Sequence, residues 1–198
     1  MSEIKAIFNS RYAGSVGYYA AMLHYGSVAI DNTLCFNKKD KTLNRMDIVG
    51  TNGVQSLTIP LVKPHASMTI DRVQIAEHAI WRHNHWGALF SAYGRTPFFE
   101  YFADDLRNIY FNTDITTIAA FNAALDAAII DFLDLPIEIL PLERSEGKVD
   151  LTKEKEAFQT NPAYYQIWAT KHGFQPGMSI LDLLFNEGRE AIFTLLKR

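Results

Sequence analysis

The sequence predicts a mixed α/β fold of the α+β type, built as a single domain over residues 1–198. Residues 1–76 carry short apolar runs and an Asn-Gly hairpin signal, which are typical of strands. From about residue 77 the apolar residues recur with a helical period. The chain is also long and apolar enough, at 48% hydrophobic residues, for one substantial core. We therefore expect a β-rich amino-terminal part and a mostly helical carboxyl-terminal part.

The predicted hairpin centres on Asn52-Gly53, because both positions of such a turn favour positive φ. In the return strand Leu57, Ile59 and Leu61 alternate with polar residues and proline, which indicates one buried face. A helical run over residues 18–25 interrupts the strands. The expected strands are residues 4–8, 28–30, 34–36, 46–49, 55–62 and 68–76.

The helical part begins with a face shared by Trp81, His85 and Leu89. Thr96-Pro97 predicts a helix start, with threonine as the N-cap and proline at the first helical position. The charged segment over residues 143–156 is typical of an exposed loop. Further helices are expected over residues 98–109, 115–133, 163–171 and 179–196, with a strand over 137–140.

Composition excludes several functional classes. A formal net charge of -3 provides no field that would gather nucleic acid, and the chain is too apolar for a disordered protein. One cysteine, Cys35, forms neither a disulfide framework nor a cysteine zinc site, and its apolar surroundings predict a buried thiol. The sequence shows no signal peptide and no stretch long enough to span a membrane, so a cytoplasmic location is expected.

Three histidines cluster at residues 78, 83 and 85, but their spacing differs from that of a zinc site. His78 and His85 would lie two helical turns apart, about 10 Å along the axis, which is too far to share a metal ion. We therefore predict no metal site. His85 is either a histidine at the core edge or an acid-base group that faces a substrate.

Two further polar residues lie in apolar stripes or at helix starts. Asn122 falls within the apolar face of the helix over 115–133, where an amide either ties down a loop or faces a ligand. Asp182 follows Ser179 at the spacing of a capping box, which explains it without a functional role.

The one local basic cluster runs from Lys38 to Arg45. It contains Lys39, Asn44 and Arg45, and it would bind a small anionic group such as a phosphate or carboxylate. The alternative is ordinary solvated surface, since the segment has no glycine-rich phosphate loop.

Several segments together resemble the WbqC-like family, in the order in which the family has them. The clearest is the carboxyl-terminal block, which includes Tyr164-Tyr165-Gln166-Ile167-Trp168 and Ser179-Ile180-Leu181-Asp182. The other matching segments are His85-Trp86, Ala92-Tyr93-Gly94, Pro97-Phe98-Phe99-Glu100-Tyr101, Phe121-Asn122, Asn44-Arg45 and Leu57-Thr58-Ile59-Pro60.

Departures from the family pattern remove cationic side chains. Thr42-Leu43 stands where the family has an aromatic residue and an arginine, and Asp150-Leu151-Thr152 replaces an Asp-Leu-Arg motif. The resemblance therefore implies a divergent member.

The resemblance implies a bacterial cytoplasmic protein of surface polysaccharide (O-antigen) synthesis, and it specifies no cofactor and no oligomeric state. It suggests a site in which Lys39, Asn44 and Arg45 hold a small anionic or sugar-linked ligand and His85 acts as a general base. Tyr93 and Asn122 would orient the substrate, and Asp182 would complete the site. The leading hypothesis is a transferase of acyl or aminoacyl groups. The alternatives are a non-catalytic binding or scaffold protein and a carbohydrate-binding module with aromatic stacking platforms.

Overall fold

The computed structural model describes residues 3–78, 80–142, 148–152, 158 and 162–197. Helices surround a parallel sheet and an antiparallel hairpin, so the predicted mixed class is confirmed. The strands are β1 (Ala6–Phe8), β2 (Ser27–Ile30), β3 (Arg45–Gly50), β4 (Gly53–Thr58), β5 (Glu138–Ile139) and β6 (Val149–Asp150). The helices are α1 (Val16–Tyr25), α2 (Trp81–Tyr93), α3 (Phe99–Phe111), α4 (Ile118–Phe132), α5 (Ala169–His172), α6 (Ile180–Glu187) and α7 (Ala191–Leu195).

The main sheet has the order β5-β2-β1-β6, and every neighbouring pair is parallel. Its two outer strands come from the part of the chain that was predicted to be mostly helical. β5 lies within the predicted strand over 137–140, whereas β6 lies within the segment predicted as an exposed loop, where Leu151 is also buried. A two-residue strand is too short to give a periodic signal in the sequence, and β6 is defined only by its pairing with β1. Residues 143–147 and 153–156 of that predicted loop lie outside the described residues.

The hairpin of β3 and β4 confirms the strongest local prediction. Its register pairs Arg45 with Thr58 and Gly50 with Gly53. Leu57 and Ile59 are buried with the exposed Thr58 between them, as expected, whereas Leu61 is only half-buried. The predicted turn geometry is wrong in one respect. Gly53 has a φ of +95°, but Asn52 is not among the described residues with positive φ, because the two turn residues are Thr51 and Asn52 and Gly53 follows them.

Capping side chains mark the starts of α1, α4 and α6, whereas α2, α3, α5 and α7 begin without a side-chain cap. The side chains of Ser15 and Thr117 accept hydrogen bonds from Tyr18 N and Ala120 N, which places the starts of α1 and α4. Thr96 was predicted to cap α3, and this is wrong. Its buried hydroxyl donates instead to the Tyr93 carbonyl at the end of α2 (2.6 Å), so it closes the preceding helix.

The predicted helix over 179–196 is divided at Gly188. This residue has a φ of +56°, and a short 3-10 turn over Gly188–Glu190 separates α6 from α7. A Cβ atom at Gly188 would lie 2.6 Å from the ring of Phe98, so close packing against that ring favours glycine here. The core joins these helices to α1 and the parallel sheet.

Candidate functional site

The chain order of the parallel strands creates a switch point between β1 and β6. From β1 the chain moves outward to β2 and then to β5, and it returns to the opposite side of β1 as β6. In open parallel sheets, ligands bind outside the carboxyl ends of the strands where the order reverses in this way. The segments that leave β1 and β6 therefore frame the place where the fold favours a ligand.

A cavity of about 280 Å³ lies at this switch point, and we call it the switch cavity. Asn9 and Ser10 reach it directly after β1, and Thr152 reaches it directly after β6. Asn37 and Asp40 contribute from the lysine-rich loop, so amides, hydroxyls and one carboxylate line the cavity. Leu34, Cys35, Leu43 and Ile70 complete its walls.

Cys35 is exposed, and the prediction of a buried thiol is wrong. The residue forms an isolated β-bridge with Thr69, which holds its backbone while its side chain faces the switch cavity region. The short apolar stretch around it packs only in part against the core. The single thiol of the chain therefore lies on the wall of the candidate site.

The lysine-rich loop is attached to the end of β1. Asn9 donates a hydrogen bond from Nδ2 to Asp40 Oδ2 (3.2 Å), and Asp40 Oδ1 accepts hydrogen bonds from the backbone and hydroxyl of Thr42. Lys39 is exposed on this loop, and its backbone N donates to Asn37 Oδ1. Because Asn37 and Asp40 both line the switch cavity, the exposed lysines stand at its margin.

Asn44 and Arg45 serve the hairpin. Asn44 Nδ2 donates to the carbonyl of Ile59 (2.7 Å), and Arg45 Nε donates to the hydroxyl of Thr58 (2.9 Å). Arg45 is exposed and lines a separate pocket of about 90 Å³ with Arg11, not the switch cavity. Lys39 therefore lies in the chain between two residues that line the switch cavity, whereas Asn44 and Arg45 have structural partners in the hairpin.

Arg11 carries a buried guanidinium close to the same strand end. It lies over the rings of Phe158 (4.4 Å) and Tyr18 (5.1 Å), and its Nε donates to Asn9 Oδ1 (3.3 Å). Burial lowers its pKa, while Tyr18 and Asp40 act in the opposite direction. This stacked cation holds the carboxamide of Asn9 in place at the cavity.

His85 lies in a buried hydrogen-bonded chain and is only 5% exposed. The Tyr12 hydroxyl lies 2.9 Å from His85 Nδ1 and 2.6 Å from the Tyr110 hydroxyl. Burial lowers the pKa of His85 to about 4, although a hydrogen bond to the Thr58 backbone opposes the shift. A neutral imidazole that accepts from Tyr12 at Nδ1 satisfies all three side chains, with Tyr110 donating to Tyr12.

Asn122 is fully buried in α4 and ties two loops together. Its Nδ2 donates to Ser10 Oγ and to the carbonyl of Leu43, each at 2.9 Å. Its Oδ1 is buried and has no hydrogen-bond partner among the described residues. The amide therefore holds Ser10 and Leu43, two residues on the wall of the switch cavity, from behind.

Tyr93 and Asp182 belong to a different buried network. Asp182 Oδ2 accepts hydrogen bonds from the Tyr164 hydroxyl (2.6 Å) and from Gln166 Nε2 (2.8 Å). Burial raises the pKa of Asp182, and its hydrogen bonds act against the shift. The Tyr93 hydroxyl accepts a hydrogen bond from the backbone of Val49 (3.1 Å), so it joins α2 to the hairpin. Asp182 belongs to α6, and the ring of Tyr93 packs against that of Phe185 on the same helix. Neither residue lines any of the cavities described here.

Only the Ser179 half of the predicted capping box is formed, and Asp182 takes no part in it. Ser179 Oγ accepts a hydrogen bond from Leu181 N, which caps α6 as expected. Asp182 turns its carboxylate to Tyr164 and Gln166 instead of to the Ser179 backbone, whose N–H donates to the Asp47 carbonyl. The acid therefore fixes the segment around residue 164 against α6.

The polar residues near the switch point were not predicted from the sequence. Asn9, Ser10 and Asp126 lie in no recognisable motif, and only the strand order brings them to one edge. The available signal was the run of polar residues directly after the first strand. Asp126, one turn after Asn122 on α4, marks the second polar position on that helix face.

These observations define the class of protein: a mixed α/β domain with a cavity, lined in part by polar side chains, at the carboxyl ends of β1 and β6. The chain belongs to the WbqC-like protein family, whose pattern it matches over residues 10–157 and 150–194. It is similar to the uncharacterised protein Rv1507c of Mycobacterium tuberculosis, with 27% identity over alignments that cover 94% of each chain. No solved structure matches it significantly.

In the part of the chain that the structure describes, no three His, Cys, Asp or Glu side chains are grouped so that they would hold a metal ion. Among the helices of the described ranges, none combines the length and hydropathy that a membrane span requires.

Proposed function

We propose that this protein acts in bacterial surface polysaccharide synthesis by binding a sugar-linked anionic intermediate, such as a nucleoside diphosphate sugar, in the switch cavity. The observation that carries the proposal is the meeting of the lysine-rich loop with the strand ends. Asn37 and Asp40 of that loop line the same cavity as Asn9, Ser10 and Thr152. Family membership supports the pathway, and an exposed free thiol fits a reducing cytoplasm.

The chemistry of the cavity suits such a ligand. Carboxamide and hydroxyl groups supply both donors and acceptors for sugar hydroxyls. The lysines at the margin supply positive charge where a phosphate would remain partly in solvent, which favours rapid capture more than deep burial of the charge. The transferase hypothesis assigns the role of general base to His85. His85 faces Tyr12 in the core instead of the switch cavity, so it cannot act as a base on a ligand bound there. We propose that His85 positions Tyr12 and the segment after β1.

Calorimetric titration with UDP-glucose tests the proposal. Lys39→Glu reverses one charge at the cavity margin, and we expect it to weaken binding by about tenfold, or about 1.4 kcal/mol. Lys5→Glu is the matched control, because Lys5 precedes β1 and lies at the opposite, amino-terminal edge of the sheet. Equal loss of affinity in both variants would show only a general charge effect and would remove the switch cavity from the proposal.

A second candidate function rests on an aromatic groove elsewhere on the surface. A pocket of about 510 Å³ is lined by Phe98, Tyr101, Phe102 and Phe132, together with Asp105, Asp131, Glu187, Arg189 and Glu190. The side chain of Tyr101 is 76% exposed, which makes it available for stacking on a sugar ring. Aromatic rings beside carboxylates would bind a glycan chain. Titration of Tyr101→Ala with oligosaccharides tests this candidate, and Tyr165→Ala, at an exposed tyrosine outside the pocket, is the control.

A further inference from the structure

A second cavity adjoins the switch cavity along the same sheet edge. Its volume is about 350 Å³, and Ser10 lines both cavities. Three alanines of α4 leave the space open, and we call it the alanine cavity. The walls are Ser10, Ile30, Asn32, Ala119, Ala123, Asp126, Ala127, Ile139, Leu140, Pro141 and Leu142.

Asp126 is the one acid on this wall among the described residues. It is 2% exposed, and its Oδ1 accepts a hydrogen bond from the Tyr19 hydroxyl. No cationic side chain of the described residues forms an ion pair with it. Burial raises its pKa to about 7, and the hydrogen bond from Tyr19 acts against the shift.

Asn32 adds an acceptor that has no partner. Its Oδ1 is buried without a hydrogen-bond partner among the described residues, and Asn32 lines the cavity two residues after β2. A buried carboxylate that has only one neutral donor and a buried carbonyl oxygen that has none are both costly. The occupant that relieves both is a group with several N–H donors and a positive charge. A protonated primary amine has three donors and one charge, whereas a sugar hydroxyl offers one donor and no charge.

We infer that the alanine cavity binds the amino group of an amino-sugar ligand, with Asp126 and Asn32 as its acceptors. The inference rests on the proposed function, because Ser10 connects this cavity to the one that would hold the anionic part. The aliphatic side chains at the ends of β2 and β5, Ile30 and residues 139–142, pack against the carbon atoms of the sugar. The substrate class is then a nucleoside diphosphate sugar with a free amine.

The test compares UDP-glucosamine with UDP-glucose by calorimetry at pH 7.5. Wild type is expected to bind UDP-glucosamine at least tenfold more tightly. Asp126→Asn should reduce the ratio to about one while leaving the affinity for UDP-glucose unchanged. Asp104→Asn, which removes an exposed carboxylate from α3, should keep the full preference. A ratio near one in wild type, or a preference that survives in Asp126→Asn, would overturn the inference.

Two additions separate this inference from the proposed function. Ala123→Leu fills the cavity from an exposed helix position and should abolish the preference without touching the carboxylate. Free glucosamine and glucose, compared by thermal shift, probe the alanine cavity without a phosphate group. If glucosamine alone stabilises wild type but not Asp126→Asn while UDP-glucose fails to bind, the amine site stands and the proposed anion site falls. If UDP-glucose binds but glucosamine does not stabilise wild type, the amine site falls and the proposed anion site stands.

Discussion

At the residue scale, buried side chains hold the segments that form the cavity. Asn122 is the clearest example, because one NH₂ group fixes residues from two different loops. The cost of losing it includes the unpaired carbonyl of Leu43 as well as the lost bonds. Positions of this kind determine how well a ligand cleft is formed before any ligand arrives.

Replacing Asn122 by alanine should lower the free energy of unfolding by about 2–3 kcal/mol, since two buried hydrogen bonds are lost. Urea denaturation followed by circular dichroism measures the change. Asn108→Ala, at an exposed position of α3, is the matched control and should stay within about 0.5 kcal/mol of wild type. Equal losses in the two variants would refute the role given to Asn122.

His85 gives a pH dependence with a definite sign. Its pKa falls from 6.5 to about 4 on folding, so its contribution to stability is full above pH 6.5. The contribution is lost as the pH falls through 4, and it amounts to about 3 kcal/mol at most. The difference in unfolding free energy between wild type and His85→Gln should therefore shrink between pH 6.5 and pH 4. A difference that is constant over this range would contradict a buried neutral His85.

At the scale of elements, the break between α6 and α7 depends on Gly188. Gly188→Ala should destabilise the protein by about 2 kcal/mol or more, because it adds both a strained φ and a clash with Phe98. Gly87→Ala is the control within α2, where a Cβ atom would meet nothing within 4 Å, and it should stabilise by about 0.5–1 kcal/mol. Thermal unfolding of both variants shows whether each substitution raises or lowers the stability of the protein. Destabilisation by Gly87→Ala of the same size would remove the special role of Gly188.

The sequence predicts elements well where a local signal is strong. The hairpin around Asn52-Gly53 needed only the turn signal and alternation, and the helix expected over 115–133 needed only its apolar period. β6 was missed because its pairing with β1 is a tertiary contact. The predicted cap of α3 failed because the Thr96 hydroxyl makes a local bond back to Tyr93 and closes the preceding helix. The α6–α7 break was missed because it depends on the ring of Phe98, 90 residues away in sequence.

Site prediction from sequence was weaker than fold prediction, for a physical reason. The polar residues it selected are shared with the family, but most of them have structural partners in the core, as His85, Tyr93 and Asp182 show. A buried satisfied network constrains sequence as strongly as a ligand does. The residues that line open space, such as Ser10, become recognisable only when the strand order is known.

At the scale of the whole molecule, the strand order and the charge distribution point to the same place. The protein has a formal net charge of -3, yet three lysines lie in the loop beside the switch cavity. The family resemblance implies an arginine at the position of Thr152, which lines this cavity. The site of this chain is thus less positive than the resemblance implies.

Thr152→Arg should strengthen the binding of UDP-glucose by several-fold and make it more sensitive to salt, because it adds a cation to the cavity wall. Thr170→Arg adds the same charge on α5, away from the cavity, and should change the affinity little. Calorimetry at low and high ionic strength measures both effects. Equal gains from both substitutions would indicate that only the overall charge matters.

The most direct test of the switch cavity uses Cys35, the only cysteine of the chain and a residue of the cavity wall. The measurement is the rate of its alkylation by N-ethylmaleimide with and without saturating UDP-glucose, at matched ionic strength. A ligand in the switch cavity covers the thiol, so we predict that UDP-glucose slows the alkylation of Cys35 at least fivefold. In Lys39→Glu, which binds UDP-glucose more weakly, the same UDP-glucose concentration should slow the alkylation less. Unchanged alkylation while calorimetry shows UDP-glucose bound would place the ligand elsewhere and contradict the account.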